Sequence, residues 1–161
     1  MTYPTQSLLE LVRFQDNALE KVTAEFKSPD WLHRITPDTS HAYWLLGHLA
    51  YCRRIMARKL GGTISEESWE KSFGRGSQPS DKLEPIDILP LRQRFLDAGR
   101  VIIARLQPMT AADLAVESGR VWPQGDSRLE GMILFMLHMH EPYHIGQIAL
   151  IGRTLGKPGL A

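Results

Sequence analysis

Residues 127–155 read SRLEGMILFMLHMHEPYHIGQIALIGRTL, the longest apolar stretch of the chain. Leu129, Ile133, Met136, Leu137, His140, His144, Gln147, Ile148 and Ile151 recur at intervals of three and four, which places them on one stripe of a helix. Ser127 and Glu130 are spaced as a capping box, and Gly156 with Pro158 ends the pattern after Leu155. Pro142 removes one backbone donor and crowds the carbonyl of His138, so the helix should be disturbed there. A stripe of this width must face a core, yet it carries two imidazoles one turn apart.

Three further stretches have the same period. Leu8, Leu11, Gln15, Ala18, Leu19, Val22 and Phe26 share a face of a helix from about Thr5 to Lys27, with Ser7 and Glu10 as its capping box and Pro29 forcing an exit. A second helix runs from about Ser40 to Leu60, capped by Asp38, Thr39 or Ser40 and stopped by Gly61-Gly62. Its Arg53, Arg54, Arg58 and Lys59 suit the negative end of a helix dipole. A third, with Ile88, Leu91, Phe95, Ala98, Ile102 and Leu106 inward, follows Asp87 as a cap and ends before Pro108. With no alternating strand pattern, the chain reads as all-α, a single domain over residues 1–161. The connections Gly61–Glu84 and Gln107–Asp126 are long for a compact domain; Trp69, Phe73 and Trp122 are placed to pin them, and Thr110–Leu114 adds a short helical turn.

Composition narrows the function classes. Hydrophobic residues make up 43% and charged residues 23%, and 19 Lys+Arg stand against 18 Asp+Glu for a net charge of +1. That balance argues against a nucleic-acid partner, which needs concentrated positive charge. The single Cys52 forms no internal disulfide, no run is long enough to span a bilayer, and Met1–Glu10 lacks a signal peptide's basic start and apolar run. A cytoplasmic protein that acts on a small molecule and touches no membrane is the expectation.

The chemistry lies in the inward histidines. Imidazoles at i and i+4 can share one metal at about 2.0–2.1 Å. His48, on the face of the second helix that carries His41, Leu45, Cys52 and Ile55, would supply a third nitrogen if it faces His140 and His144. Three neutral nitrogens leave coordination positions open for water or substrate. His138 lies on the far side of its helix from His140, and His41 sits near a helix start, so neither is expected to ligate. Cys52, one turn from His48, points toward the pocket or packs as a buried thiol. His140-Glu141-Pro142-Tyr143-His144 matches H-E-x-x-H, but Gln147 and Leu150 stand where an extended metalloprotease motif needs glycine and histidine. A di-iron centre is disfavoured because the second helix holds no acid.

With His48 inside Trp44-Leu45-Leu46-Gly47-His48-Leu49-Ala50, and His140-Glu141-Pro142-Tyr143-His144-Ile145-Gly146-Gln147 near the C-terminus, the chain resembles the DinB-like (DinB/YfiT) superfamily over nearly its whole length. The resemblance implies a four-helix bundle in up-down-down-up order and a homodimer. It also implies a divalent metal, zinc or nickel above all, on His48, His140 and His144. Characterised relatives include metal-dependent enzymes that use low-molecular-weight thiols such as mycothiol, bacillithiol or glutathione. The implied function is therefore a thiol S-transferase acting on small electrophiles. Gln147, Glu141 and Tyr143 would then orient ligands or touch substrate, with Trp44 and Cys52 lining the pocket. The competing readings are a non-catalytic dimeric bundle, with Leu134, Ile145 and Ala149 as its seam, and a metal-dependent hydrolase.

Overall fold

The computed structural model describes residues 5–79 and 88–160, and its regular structure is helical. The elements are α1 (Thr5–Thr23), α2 (Ala42–Lys59), α3 (Ile88–Leu106), the short α4 (Ala111–Leu114), α5 (Leu129–Phe135) and α6 (Glu141–Thr154). A π-helical turn, Met136–His140, joins α5 to α6 in one continuous rod. No strand occurs among the described residues, only an isolated bridge between Glu117 and Arg128. The expected Asp87 cap, and the part of the Gly61–Glu84 connection beyond residue 79, lie outside the described residues.

Helix directions follow from which ends meet. Arg105 donates to the Leu60 carbonyl at 3.1 Å and Arg53 reaches the Phe95 carbonyl, so α2 and α3 run parallel. Leu8, Leu9 and Val12 of α1 pack with Met56, Leu60 and Leu106 and with Met132 and Ile133, while Ala18, Leu19 and Val22 pack with Leu45, Leu91 and Ile148. α1 and the α5–α6 rod therefore run opposite to α2 and α3, giving the up-down-down-up order. The apolar stripes fill two core layers, one toward each end of the bundle.

The stops fall where glycine permits them. Gly61 has φ +80° and Gly62 N–H returns to the Ala57 carbonyl at 2.9 Å, a Schellman ending for α2. Gly156, at φ +73°, does the same for α6, with Lys157 N–H bonded to the Gly152 carbonyl. The starts differ from expectation. His41, not Asp38, Thr39 or Ser40, caps α2, its Nδ1 accepting from Trp44 N–H at 3.1 Å. Neither serine of the predicted capping boxes is the helix cap: Ser7 lies inside α1, where Glu10 accepts from Gln6 and Arg13, and Ser127 donates to Glu117, two residues ahead of the helix start at Leu129. Asp126 instead accepts from Arg128 N–H and side chain, and those bonds hold its carboxyl down at about 2. α1 ends at Thr23 rather than near Lys27; a 3₁₀ turn, Ser28–Leu32, follows, and its Trp31 meets Phe26 edge-on.

The disturbance expected at Pro142 is the π turn. Glu141 N–H bonds the Met136 carbonyl, five residues back, which frees the Leu137 carbonyl. The buried amide of Gln15 takes up that acceptor at 3.3 Å, so a polar residue on the inner face of α1 closes the gap. The turn ends on His140, the first of the histidine pair. Ile145, expected on a second apolar face with Leu134 and Ala149, is only 2% exposed and belongs to the core, whereas the exposed apolar side chains of this rod are Met139, Tyr143 and Leu150. Among the described residues no helix is long and apolar enough to cross a membrane.

Candidate metal centre

α2 carries His48 and Cys52 one turn apart, and the α5–α6 rod packs beside it with His140 as the last residue of the π turn and His144 in the first turn of α6. His48 Nε2 stands 3.2 Å from His140 Nε2, and Cys52 Sγ lies 3.6 Å from the first and 4.0 Å from the second. The donor atoms of His48, Cys52 and His140 all fall within 4.8 Å of one another. The ring of His144 adjoins both histidines, with centroids 5.0 Å from His48 and 4.6 Å from His140. Of the residues that the sequence singled out, His48, His140 and Cys52 bring their donor atoms together, while His144 is placed beside them by its ring.

Hydrogen bonds fix which nitrogens face that point. His48 Nδ1–H donates to the Phe73 carbonyl at 2.7 Å, which leaves Nε2 as a bare lone pair. His144 Nδ1–H donates to Gln147 Oε1 at 2.7 Å, and Gln147 in turn donates to the Tyr143 hydroxyl at 3.2 Å. Trp44 stacks flat on His48, 4.9 Å between centroids and 7° between planes, with its indole N–H on Ser77. His140 Nδ1 is buried with no hydrogen-bond partner among the described residues.

The spacing fits a divalent ion. Nitrogens bound to one tetrahedral centre at about 2.0–2.1 Å stand about 3.3 Å apart, and such a nitrogen stands about 3.6 Å from a sulfur bound at about 2.3 Å. The two closest pairs, 3.2 and 3.6 Å, match those separations. Burial favours the neutral, ligating form of every imidazole: desolvation lowers the pKa of His48 and His144, and desolvation with its two histidine neighbours and Arg120 takes His140 to about 3. Cys52 is pushed far the other way, by burial first and then by the charge of Glu141. Its thiol stays protonated at neutral pH unless a cation replaces the proton.

These shifts predict acid sensitivity. An unfolded histidine takes a proton near pH 6.5, well before the buried ones do, so falling pH favours the unfolded chain. The metal-free protein should hold full stability above about pH 6.5 and lose it as the pH falls toward about 3, where His140 titrates. Thermal unfolding at pH 7 and pH 5 checks this: the midpoint should drop, and drop less in His140→Asn. Equal midpoints for the wild type would contradict it.

The remaining expected site residues separate. Glu141 is not at the centre: it is 0% exposed, and both its oxygens bind Arg53 at 2.9 Å. The literal H-E-x-x-H therefore has no glutamate to activate water. Tyr143 is largely exposed and touches the site through Gln147, while His138 is exposed and outside the cluster. Three participants left no side-chain signature in the sequence reading: the Phe73 carbonyl, and Arg75 and Arg120 in the connections. Both arginines line a pocket of about 390 Å³ that opens over His48, Cys52 and His140, walled by Ile55, Trp122 and Phe135.

The connection that supplies Phe73 is an ordered strap. Glu70, buried against α2, accepts from Arg54 and Arg58, and Glu67 accepts from Arg94 of α3 and pairs with Arg54. Arg94 and Arg54 both face the Trp69 ring, at 5.0 and 5.6 Å. These contacts carry the Phe73 carbonyl to His48, so Arg54 and Arg58 of α2 serve the site at one remove.

No curated protein matches the chain. The family model of the DinB superfamily matches residues 10–148, a span that begins in α1 and takes in every histidine of the cluster. Bundle order, converging imidazoles and that match agree, and the chain belongs to the DinB superfamily.

Proposed function

We propose that this protein is a metal-dependent enzyme, with the ion held by His48, His140 and His144, and that it transfers a low-molecular-weight thiol to small electrophiles. The observation that carries the reading is the pair of fixed tautomers: Phe73 and Gln147 each take an Nδ1–H, so that two bare Nε2 atoms are presented beside His140. A bound divalent ion, zinc or nickel, supplies a Lewis acid that lowers the pKa of a coordinated thiol or water.

The protein's own groups favour thiol over water. Among the described residues no carboxylate lines the pocket, and Glu141 is committed to Arg53, so none of them stands ready as a general base for water. A thiol, with an ordinary pKa of about 8.5, needs far less help to ionise. Cys52 is too firmly protonated to act as nucleophile itself, which leaves that role to a co-substrate; its sulfur is a further donor within reach of the ion. The transfer joins the thiol sulfur to the electrophilic carbon, releases the leaving group and passes the thiol proton to solvent. Trp44 and Phe73 hold His48 in place throughout.

Metal analysis and a turnover assay test this together. Purified wild type should hold close to one divalent ion per chain, and folded His48→Ala, His140→Ala and His144→Ala should each hold far less. The loaded protein, offered a chlorodinitrobenzene with mycothiol, bacillithiol or glutathione, should consume it only when one of the thiols is present. Consumption without thiol would mean hydrolysis, and metal binding with no turnover would favour the non-catalytic bundle. Equal metal content in wild type and His140→Ala would remove the centre altogether.

A further inference from the structure

The pocket over the histidines is positively charged before any ion enters it. Among the described residues its wall carries Arg75 and Arg120 and no acidic side chain, and neither arginine has an ion-pair partner within 4.0 Å. Two acids of the neighbouring strap are already committed, Glu70 to Arg54 and Arg58, Glu67 to Arg54 and Arg94, while Glu66 lines the adjoining groove that Arg75 shares and not this pocket. Asp126, close in sequence to Arg120, is bound by Arg128.

Arg120 is also held in position. Its guanidinium carbon lies 3.7 Å from the centre of the Trp122 ring, and Trp122 is buried with its indole N–H on Ser118 Oγ at 2.7 Å. The loop beneath is pinned by Ser118 N–H to the Ser127 carbonyl and Trp122 N–H to the Asp126 carbonyl, at 2.7 and 2.8 Å, with Gly119 turning at φ +92°. The charge of Arg120 is felt at Cys52 and at His140, so it stands on the approach to the cluster. An arginine stacked on a fixed indole keeps its edge free for a planar anion.

We infer that this pocket binds a small organic carboxylate, its charged end between Arg75 and Arg120, its apolar body on Trp122 and Phe135, and its other end at the histidine cluster. A cavity of about 390 Å³ takes a molecule of one ring or a short chain, not a peptide or a polymer. The inference deepens the proposed function by naming the charge of a substrate at the same site, and it rests on that reading only for what happens at the histidine end. The carboxylate itself needs no metal.

Calorimetry with 3-phenylpropanoate and its uncharged amide, on metal-free and zinc-loaded protein, tests it. The carboxylate should bind metal-free protein at least about tenfold more tightly than the amide, and Arg120→Gln and Arg75→Gln should each remove about tenfold of that affinity. The preference should weaken with added salt and survive in His140→Ala, whether or not that variant holds metal. Equal binding of acid and amide would overturn the inference. So would carboxylate binding that requires zinc, disappears in His140→Ala and ignores both arginine substitutions; that pattern would place the anion on the metal and leave the metal centre standing.

Discussion

Replacing Arg53 with alanine should lower the stability of this protein by about 3–5 kcal/mol, the usual effect of leaving a buried charge without its partner. Arg53 is 0% exposed and spends its donors on three of the other helices. Nε and Nη2 bind the two oxygens of Glu141 in α6 at 2.9 Å, Nη2 also reaches the Val12 carbonyl of α1 at 3.3 Å, and Nη1 bonds Asp16 of α1 and the Phe95 carbonyl of α3 at 3.4 Å. The guanidinium lies 3.6 Å over the Phe95 ring, and Gly99 makes room, since a methyl group there would stand 2.6 Å from Nη1. Glu141→Ala should cause a loss of similar size, because it strands the arginine instead. The double change Arg53→Met with Glu141→Leu should lose much less than the two single changes added together, because an apolar pair has no unpaired charge to bury. Urea unfolding with unchanged m-values measures all three. Single variants within about 1 kcal/mol of wild type would show that the pair does not hold the waist of the bundle.

That ion pair marks where sequence reading stopped. Helix period and glycine stops were enough to place the helices, because burial of an apolar stripe is what makes each one stable. The same logic found the site, since a histidine at a position that packing would give to leucine is visible from spacing alone, and so is Gln147, one turn from His144. Glu141 was misread because its partner lies 88 positions away and is one of four cations that, in sequence, look like a solvated helix end. The π turn escaped for a related reason: a pattern of threes and fours assumes bonds to the fourth residue, and only Pro142 hinted that one was missing. Phe73 contributes a backbone oxygen, which any residue type could supply, so its role in orienting His48 leaves no trace in the side chains. Arg75 and Arg120 stand in connections with no period to place them.

Gly47→Ala should damage both the fold and the metal centre, while Gly146→Ala should damage neither, although both glycines lie within one residue of a site residue. A methyl group on Gly47 would stand 2.2 Å from Cδ1 and Cε1 of Phe73, well inside any real contact. The Phe73 ring cannot retreat cheaply, because it is 3% exposed, with Tyr43 edge-on at 5.5 Å and Trp69 at 5.8 Å. Overpacking of that kind costs about 1–3 kcal/mol, and the gain of about 1 kcal/mol in helix propensity offsets only part of it. Relief comes most easily by moving residue 73, which draws its carbonyl away from His48 Nδ1–H and frees the imidazole to turn. Loss of such an orienting bond weakens metal binding by about 10–100-fold. Around Gly146 nothing lies within 4 Å of the added carbon, so alanine there should raise stability by up to about 1 kcal/mol and leave metal affinity alone. Zinc titration against a competing chelator, beside urea unfolding, reads both effects. Unchanged affinity in a folded Gly47→Ala would mean that His48 does not depend on Phe73. A loss of affinity in that variant with the fold only modestly weakened would show that a glycine on one helix sets the aim of a ligand through the backbone of a distant strap.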